Sequence, residues 1–106
     1  MAPPWLLATL TQVRRHVVAR RARFTLKALG ELTGLGLDVE DAIRIVAGLS
    51  TVDFARRVMS RHTGEWMYVF KPAVAGTVLY VKLLMRTECV IISFHEDEEQ
   101  SDENDV

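Results

Sequence analysis

Side chains that can bind phosphate or transfer protons recur at alternate positions in two apolar stretches near the end of the sequence. Tyr80 and Lys82 lie two residues apart in the first stretch, and Ser93 and His95 lie two residues apart in the second. Because the side chains of a β-strand alternate between its faces, each pair shares a face if both stretches are strands. This spacing predicts one surface that combines a phenol, an imidazole and a cation.

Such a surface has the groups needed to cleave RNA. A base must remove the proton of the ribose 2′-OH, an acid must protonate the leaving 5′ oxygen, and cations must stabilise the charge at phosphorus. Since histidine transfers protons near neutral pH, His95 is a candidate general acid or base. The alternative is a solvated histidine at a strand end. For Tyr80, likewise, the alternative to a role at the scissile phosphate is an amphipathic strand tyrosine with a hydrated hydroxyl.

The remaining motifs favour neither a metal site nor a nucleotide site. His16, His62 and His95 share no ligand spacing with one another or with Cys89, and HExxH and CxxC motifs are absent from the sequence. The glycines of 34–38 lack the strand–turn–helix context of a phosphate-binding loop. We therefore expect no metal and no small-molecule cofactor. Cys89 is the only cysteine and lies in an apolar run, which predicts a buried, unreactive thiol.

Charge is divided unequally along the chain. Residues 1–95 hold all 13 Lys and Arg but only 7 of the 14 acids, which gives them a net charge of +6. Residues 96–106 hold the other 7 acids and no base. A compact basic body suits a polyanion such as RNA, or else an acidic protein. We predict one domain over 1–95 and a disordered acidic tail over 96–106, which either aids solubility or screens the basic face.

The sequence also predicts where the protein resides. No apolar stretch reaches the length of a membrane span, no secretory signal is visible, and a single cysteine fits a reducing compartment. We expect a cytoplasmic protein with no membrane partner.

Helical patterns fill the first half of the chain and strand patterns the second half. Apolar residues from Leu6 to Val17 recur at helical spacing, and further helices are predicted to start at Thr25, Asp38 and Ser50. Strands are predicted at 66–71, 77–86 and 89–95, the last two forming a hairpin. The predicted fold class is α+β, with N-terminal helices packed on one face of a small antiparallel sheet.

Alternation assigns the two faces of this sheet. The predicted core face comprises Leu79, Val81, Leu83, Met85, Val90, Ile92 and Phe94. The predicted open face comprises Met67, Lys71, Tyr80, Lys82, Ser93 and His95. Trp66 and Phe70 are predicted to pack in the core and not to stack on bases, because they too have apolar neighbours at strand spacing.

Several segments, in order, resemble the MqsR-type mRNA interferase toxins. They are LTQVRR (10–15), Arg23, Thr25, Ala28, LGLD (35–38), GLSTVDF (48–54), HTGEW (62–66), VFKP (69–72), GTVLYVK (76–82) and VIISFHE (90–96). The resemblance covers roughly residues 9–97. It implies a RelE-like α+β fold, a small ribosome-independent endoribonuclease that cuts mRNA, and a cognate antitoxin protein. Such antitoxins typically have a zinc-binding part and a helix-turn-helix part.

The resemblance also implies site residues, with departures from the family pattern. The family tyrosine falls on Tyr80, while the family lysine of the helix after GLS falls on Arg56 and the lysine after SF on His95. The family glutamine falls on Met67 and the family arginine before proline on Lys71. Arg56, Tyr80 and His95 are therefore the expected catalytic residues.

Lys71 and Lys82 are expected to bind phosphate, and Met67 occupies an RNA-binding position without its amide. Arg57 and His62 are further RNA-binding candidates. The alternative for Arg57 is an exposed arginine on a helix that contacts only solvent, and the alternative for His62 is a turn residue without an RNA contact. The loss of the amide at Met67 keeps a second function open, a catalytically attenuated homologue that acts as an RNA- or antitoxin-binding module.

Overall fold

The computed structural model describes residues 1–98, which contain three α-helices and six strands, and it confirms the α+β class. The helices are α1 (Pro4–Val18), α2 (Leu26–Gly34) and α3 (Val39–Ala47), and a 3₁₀ turn covers Thr51–Asp53. The strands are β1 (Ala22–Phe24), β2 (Phe54–Met59), β3 (Trp66–Phe70), β4 (Ala73–Val74), β5 (Thr77–Met85) and β6 (Cys89–Glu96). Residues 99–106, which form most of the predicted tail, lie outside the described residues.

The helices cover one face of the sheet through apolar stripes. In α1, Leu6, Leu10, Val13 and Val17 are all buried, as the helical spacing predicts. Helix α3 begins with the predicted cap: the Asp38 carboxylate accepts a hydrogen bond from the backbone N–H of Asp41, and the Asp41 carboxylate accepts one from Asp38. These helices and the sheet enclose a single apolar cluster that includes Phe70 and Phe94.

The sheet has the order β1-β6-β5-β3-β2, with β4 paired only to the start of β5. The predicted β5–β6 hairpin and the antiparallel run β3-β5-β6 are confirmed. However, β1 pairs with β6 in parallel, so the sheet is mixed and the prediction of a wholly antiparallel sheet is wrong at this edge. Strand β1 has only three residues, too few to show any alternation in the sequence.

The segment after Ser50 forms a strand and not the predicted helix. The Ser50 backbone N–H donates to the Asp53 carboxylate at 2.9 Å, as the predicted cap requires, but the helix ends after one 3₁₀ turn. Phe54–Met59 then pairs with β3. The Phe54 ring lies edge-on to Trp5 and to Phe70, at 5.5 and 5.6 Å between ring centres. This packing and the strand pairing outweigh the local helix propensity of Ala-Arg-Arg.

A one-residue bulge in β6 changes the predicted faces of that strand. Lys82 pairs with Ser93, but Leu83 pairs with Ile91, so Ile92 is the extra residue. The core side chains of β6 are consequently Cys89, Ile91 and Phe94, and the predicted face of Val90, Ile92 and Phe94 is wrong. Beyond the bulge the prediction is right again, because Ser93 and His95 lie opposite Lys82 and Tyr80 on the other face.

Thr25 joins the bulge to the start of α2. Its hydroxyl donates to the carbonyl of Ile92 at 3.0 Å and accepts from the N–H of Ala28 at 3.1 Å. Its backbone N–H donates to the carbonyl of Ile91. The same side chain therefore caps the helix and satisfies a carbonyl that the bulge removes from regular pairing.

Strand β6 extends slightly beyond the predicted domain boundary at residue 95. Glu96 is its last residue, and its backbone partner across the strand pair is Leu79. Asp97 is buried, with 4% of its surface exposed. The first two residues assigned to the acidic tail are therefore built into the fold.

We expect the substitution Thr25→Val to lower the free energy of unfolding by about 2 kcal/mol. Valine keeps the shape of threonine but removes a helix cap, typically ~1 kcal/mol, and a hydrogen bond of similar strength. Urea denaturation measures the change, and Thr25→Ser, which retains the hydroxyl, is the matched control. Equal stability of the two variants would contradict the role of the hydroxyl.

Candidate active site

A cleft of about 330 Å³ lies on the sheet face opposite the apolar core. Its lining residues are Lys27, Tyr80, Lys82, Ser93, His95, Asp97 and Glu98. Four of these, the strand residues from Tyr80 to His95, were assigned to this face from alternation alone. The cleft thus brings together side chains from α2, from β5, and from β6 and the residues that follow it.

Tyr80 and His95 are direct neighbours across the β5–β6 pair. Their rings are stacked, with 4.8 Å between centres and an angle of 9° between planes. The His95 Nδ1 atom lies 2.7 Å from the carbonyl oxygen of Glu96. Because a carbonyl oxygen can only accept a hydrogen bond, Nδ1 carries a proton, and Nε2 is the nitrogen that remains available for chemistry.

Arg56 belongs to the same face, although it lies on β2 and not on a helix as the family resemblance implied. It pairs with Val69, which pairs with Lys82, which pairs with Ser93, so one row of side chains crosses four strands. The Arg56 guanidinium lies 5.8 Å from the centre of the Tyr80 ring, and the Lys82 ammonium lies 5.9 Å from it. Two cations therefore flank the phenol of Tyr80.

Lys71 lies close to this site, but its charge is compensated. Its ammonium group is 3.5 Å from a carboxylate oxygen of Asp97, and both side chains are largely buried. Asp97 also lines the cleft. The predicted contact of Lys71 with phosphate stays a prediction.

Met67 lies in a different row of the same face. It pairs with Val58 on one side and with Leu84 on the other, and Leu84 pairs with Val90. Leu84 and Val90 are both buried. The position is therefore apolar in this chain, which suits a thioether, and it does not line the cleft.

Arg57 and His62 are not brought to the cleft. Arg57 lies on the helix-side face of β2, with its guanidinium 4.0 Å from the Trp5 ring centre and 4.2 Å from the Trp66 ring centre. Trp66 is 40% exposed at this edge, so its predicted burial in the core is wrong. His62 is exposed in the turn between β2 and β3. The predicted RNA contacts of Arg57 and His62 stay predictions.

Two residues of the site were not identified from the sequence, Lys27 and Glu31 of α2. The Lys27 ammonium donates to the Ser93 hydroxyl at 2.9 Å and to the Glu31 carboxylate at 3.0 Å. The other oxygen of Glu31 accepts the backbone N–H of Phe94 at 2.9 Å. Burial raises the pKa of Glu31, but the hydrogen bonds from Phe94 and Lys27 and nearby positive charge outweigh it and leave this pKa below its ordinary value. In the sequence, the spacing of four residues between Lys27 and Glu31 indicates an ion pair on a helix. It does not indicate that the two side chains contact strand β6.

Other reactive groups lie apart from the cleft. Cys89 is buried, and burial raises the pKa of its thiol to about 12, so a thiolate is strongly disfavoured.

Within residues 1–98, no group of three or more His, Cys, Asp or Glu side chains is arranged to hold a metal ion. In the same part of the chain, no helix has the length and apolar character needed to cross a membrane.

The fold and the cleft define a small α+β protein with cations, a phenol and an imidazole suited to a phosphodiester backbone. A family model described as "Motility quorum-sensing regulator, toxin of MqsA" matches residues 7–96. The chain is also 34% identical over 89 residues to the mRNA interferase toxin MqsR of Escherichia coli strain K12, across 82% of this chain and 90% of that protein. The chain therefore belongs to the MqsR toxin family, as the resemblance in its segments predicted.

We expect Arg57→Ala to lower the free energy of unfolding by about 1–2 kcal/mol, because two cation–π contacts of ~0.5–1 kcal/mol each are lost. Urea denaturation measures this, with Arg61→Ala in the exposed β2–β3 turn as the control. A variant of unchanged stability that bound RNA more weakly would instead support the predicted RNA contact.

Proposed function

We propose that this chain is a metal-independent endoribonuclease that cleaves mRNA and is inhibited by a cognate antitoxin protein, acting in the cytoplasm. The observation that carries the proposal is the stacked Tyr80–His95 pair, flanked by the cations of Arg56 and Lys82. Membership of the toxin family supports it, since the relative from Escherichia coli is named an mRNA interferase toxin.

In the proposed reaction, the scissile phosphate binds between Arg56 and Lys82. Arginine can hold two phosphate oxygens at once, and lysine adds a compact positive charge. Both groups stabilise the extra negative charge that develops when the ribose 2′ oxygen attacks phosphorus. The Tyr80 hydroxyl donates a hydrogen bond to a non-bridging oxygen of the same phosphate.

His95 acts as the proton donor through Nε2. As the 2′ oxygen bonds to phosphorus, its proton passes to water, and the bond from phosphorus to the 5′ oxygen breaks. The imidazolium gives its Nε2 proton to that 5′ oxygen and regains one from solvent afterwards. The products are a 2′,3′-cyclic phosphate and a 5′-OH end. Water accepts the 2′-OH proton, His95 donates the proton to the leaving 5′ oxygen, and Arg56 and Lys82 stabilise the charge at phosphorus.

We expect His95→Ala to lower the rate of cleavage of an mRNA fragment by about 10²–10⁴-fold, the usual contribution of a positioned acid–base group. Tyr80→Phe should lower it by about 10²–10³-fold, the usual loss for one hydrogen-bond donor to the transition state. The matched controls are Tyr68→Phe, on the helix-side face, and His16→Ala, in the last turn of α1. Cleavage should be unchanged by EDTA. Full activity in both cleft variants would exclude this assignment of the site.

The second candidate function, a binding module with attenuated catalysis, is favoured by the apolar row around Met67. Family members have an amide at this position, whereas here Val58 and Leu84 are the cross-strand neighbours of a thioether. Such a module would bind RNA through the cations of the cleft, with an affinity that falls steeply as salt rises. It would release no cleavage products.

The substitution Met67→Gln separates the two functions. If the missing amide limits catalysis, we expect cleavage to increase by about 10-fold or more, in line with one added transition-state hydrogen bond. Gel analysis of RNA fragments measures it. Met59→Gln is the control, because it makes the same chemical change on the opposite face of the neighbouring strand. Equal cleavage by Met67→Gln and the parent protein would argue against attenuation by this residue.

A further inference from the structure

Glu31 contacts the site from outside the sheet. Strand β1 ends at Phe24, which pairs with Ile91, so beyond this point β1 no longer covers the edge of β6. Helix α2 takes its place there, and the Glu31 carboxylate accepts the N–H of Phe94 as a neighbouring strand would. The side chain is thus fixed to the backbone residue that precedes His95.

The second oxygen of Glu31 faces the imidazole. It lies 4.0 Å from Nε2 of His95 and 3.0 Å from the ammonium of Lys27. Only 21% of the Glu31 side chain is exposed, so its charge is poorly screened by water. Since Nδ1 of His95 is engaged with the carbonyl of Glu96, Nε2 is the atom whose protonation this carboxylate influences.

Charges of both signs surround His95, and the Glu31 carboxylate lies 4.0 Å from its Nε2 atom. Helix α2 contributes Lys27 and Glu31, β5 contributes Lys82, β2 contributes Arg56, and the residues after β6 contribute Asp97 and Glu98. The cations oppose protonation of the imidazole, and the carboxylates favour it. The Glu31 carboxylate is within ion-pair distance of the His95 ring.

We propose that Glu31 is the positioning residue of this site: its carboxylate fixes the His95 ring through the β6 backbone and stabilises the imidazolium that protonates the leaving oxygen. This inference rests on the proposed function. Glu31 itself neither gives nor takes a proton, and it remains ionised while His95 alternates between its two forms. It also holds Lys27 beside Ser93 at the edge of the cleft.

The test is Glu31→Gln in the full chain, because glutamine keeps an acceptor for the N–H of Phe94 but removes the charge. We expect kcat for an RNA oligonucleotide to fall by up to about 100-fold with little change in KM. Glu31→Asp, which keeps the charge, should retain more of kcat than Glu31→Gln, which a purely structural role of the side chain would not predict. Glu40→Gln, on α3 and paired with Arg20, is the matched control.

A second measurement does not depend on cleavage. In ¹⁵N spectra of the free protein, neutral His95 should carry its proton on Nδ1, and the Nε2 signal should differ between Glu31→Gln and the parent because the neighbouring charge is removed. If this spectral difference is seen but the parent protein cleaves no RNA, the role of Glu31 is supported and the proposed function is overturned. Unchanged kcat and unchanged spectra in Glu31→Gln, with an active parent, would overturn the role of Glu31.

If Glu31→Gln does not fold, the tautomer of His95 in the parent protein still tests the inference. If neutral His95 in the parent carries its proton on Nε2, the geometry assigned to the imidazole is wrong and the inference fails. If it carries the proton on Nδ1, Glu31→Asp, which keeps the charge but shortens the side chain, replaces glutamine as the variant. That variant should lower kcat with little change in KM.

Discussion

The extra residue at Ile92 is the constraint on which the rest of the site depends. Regular alternation along β6 would place Ile91 and Phe94 on opposite faces of the sheet, yet both are buried in the core. The bulge resolves this conflict by shifting the register by one residue between the two. As a result, the last part of the strand buries Phe94 and still directs Ser93 and His95 towards Lys82 and Tyr80. Stable core packing and the arrangement of the cleft are therefore set by the same local irregularity.

Sequence periodicity predicted most of what is regular in this fold. The buried stripe of α1 and the β5–β6 hairpin follow from spacing alone, because each repeats over several residues. The bulge could not be read in this way, because Val90, Ile92 and Phe94 form a plausible apolar face that only three-dimensional packing rules out. The strand β2 was not predicted because a valid cap at Ser50 precedes Ala-Arg-Arg, whose local propensity favours a helix.

The residues of the cleft show a similar division. Tyr80 and His95 could be placed together because they occupy neighbouring strands of a predictable hairpin. Lys27 and Glu31 could not, because the bond from Phe94 to Glu31 joins residues 63 positions apart and depends on where β1 ends. Composition was similarly uninformative about Lys71 and Arg57. Their charges look free in the sequence, but a carboxylate faces one and two indole rings enclose the other.

The position of β6 in the sheet also determines when the cleft can form during synthesis of the chain. Within residues 1–98, β6 is the last strand in the chain, yet it lies between β1 and β5 and is the partner of both. Helix α2, which brings Lys27 and Glu31, is anchored to β6 through Thr25 as well. Long-range pairings of this kind form only after both segments are available. During translation, the cleft therefore cannot assemble before β6 has left the ribosome, so a chain that lacks β6 also lacks the cleft.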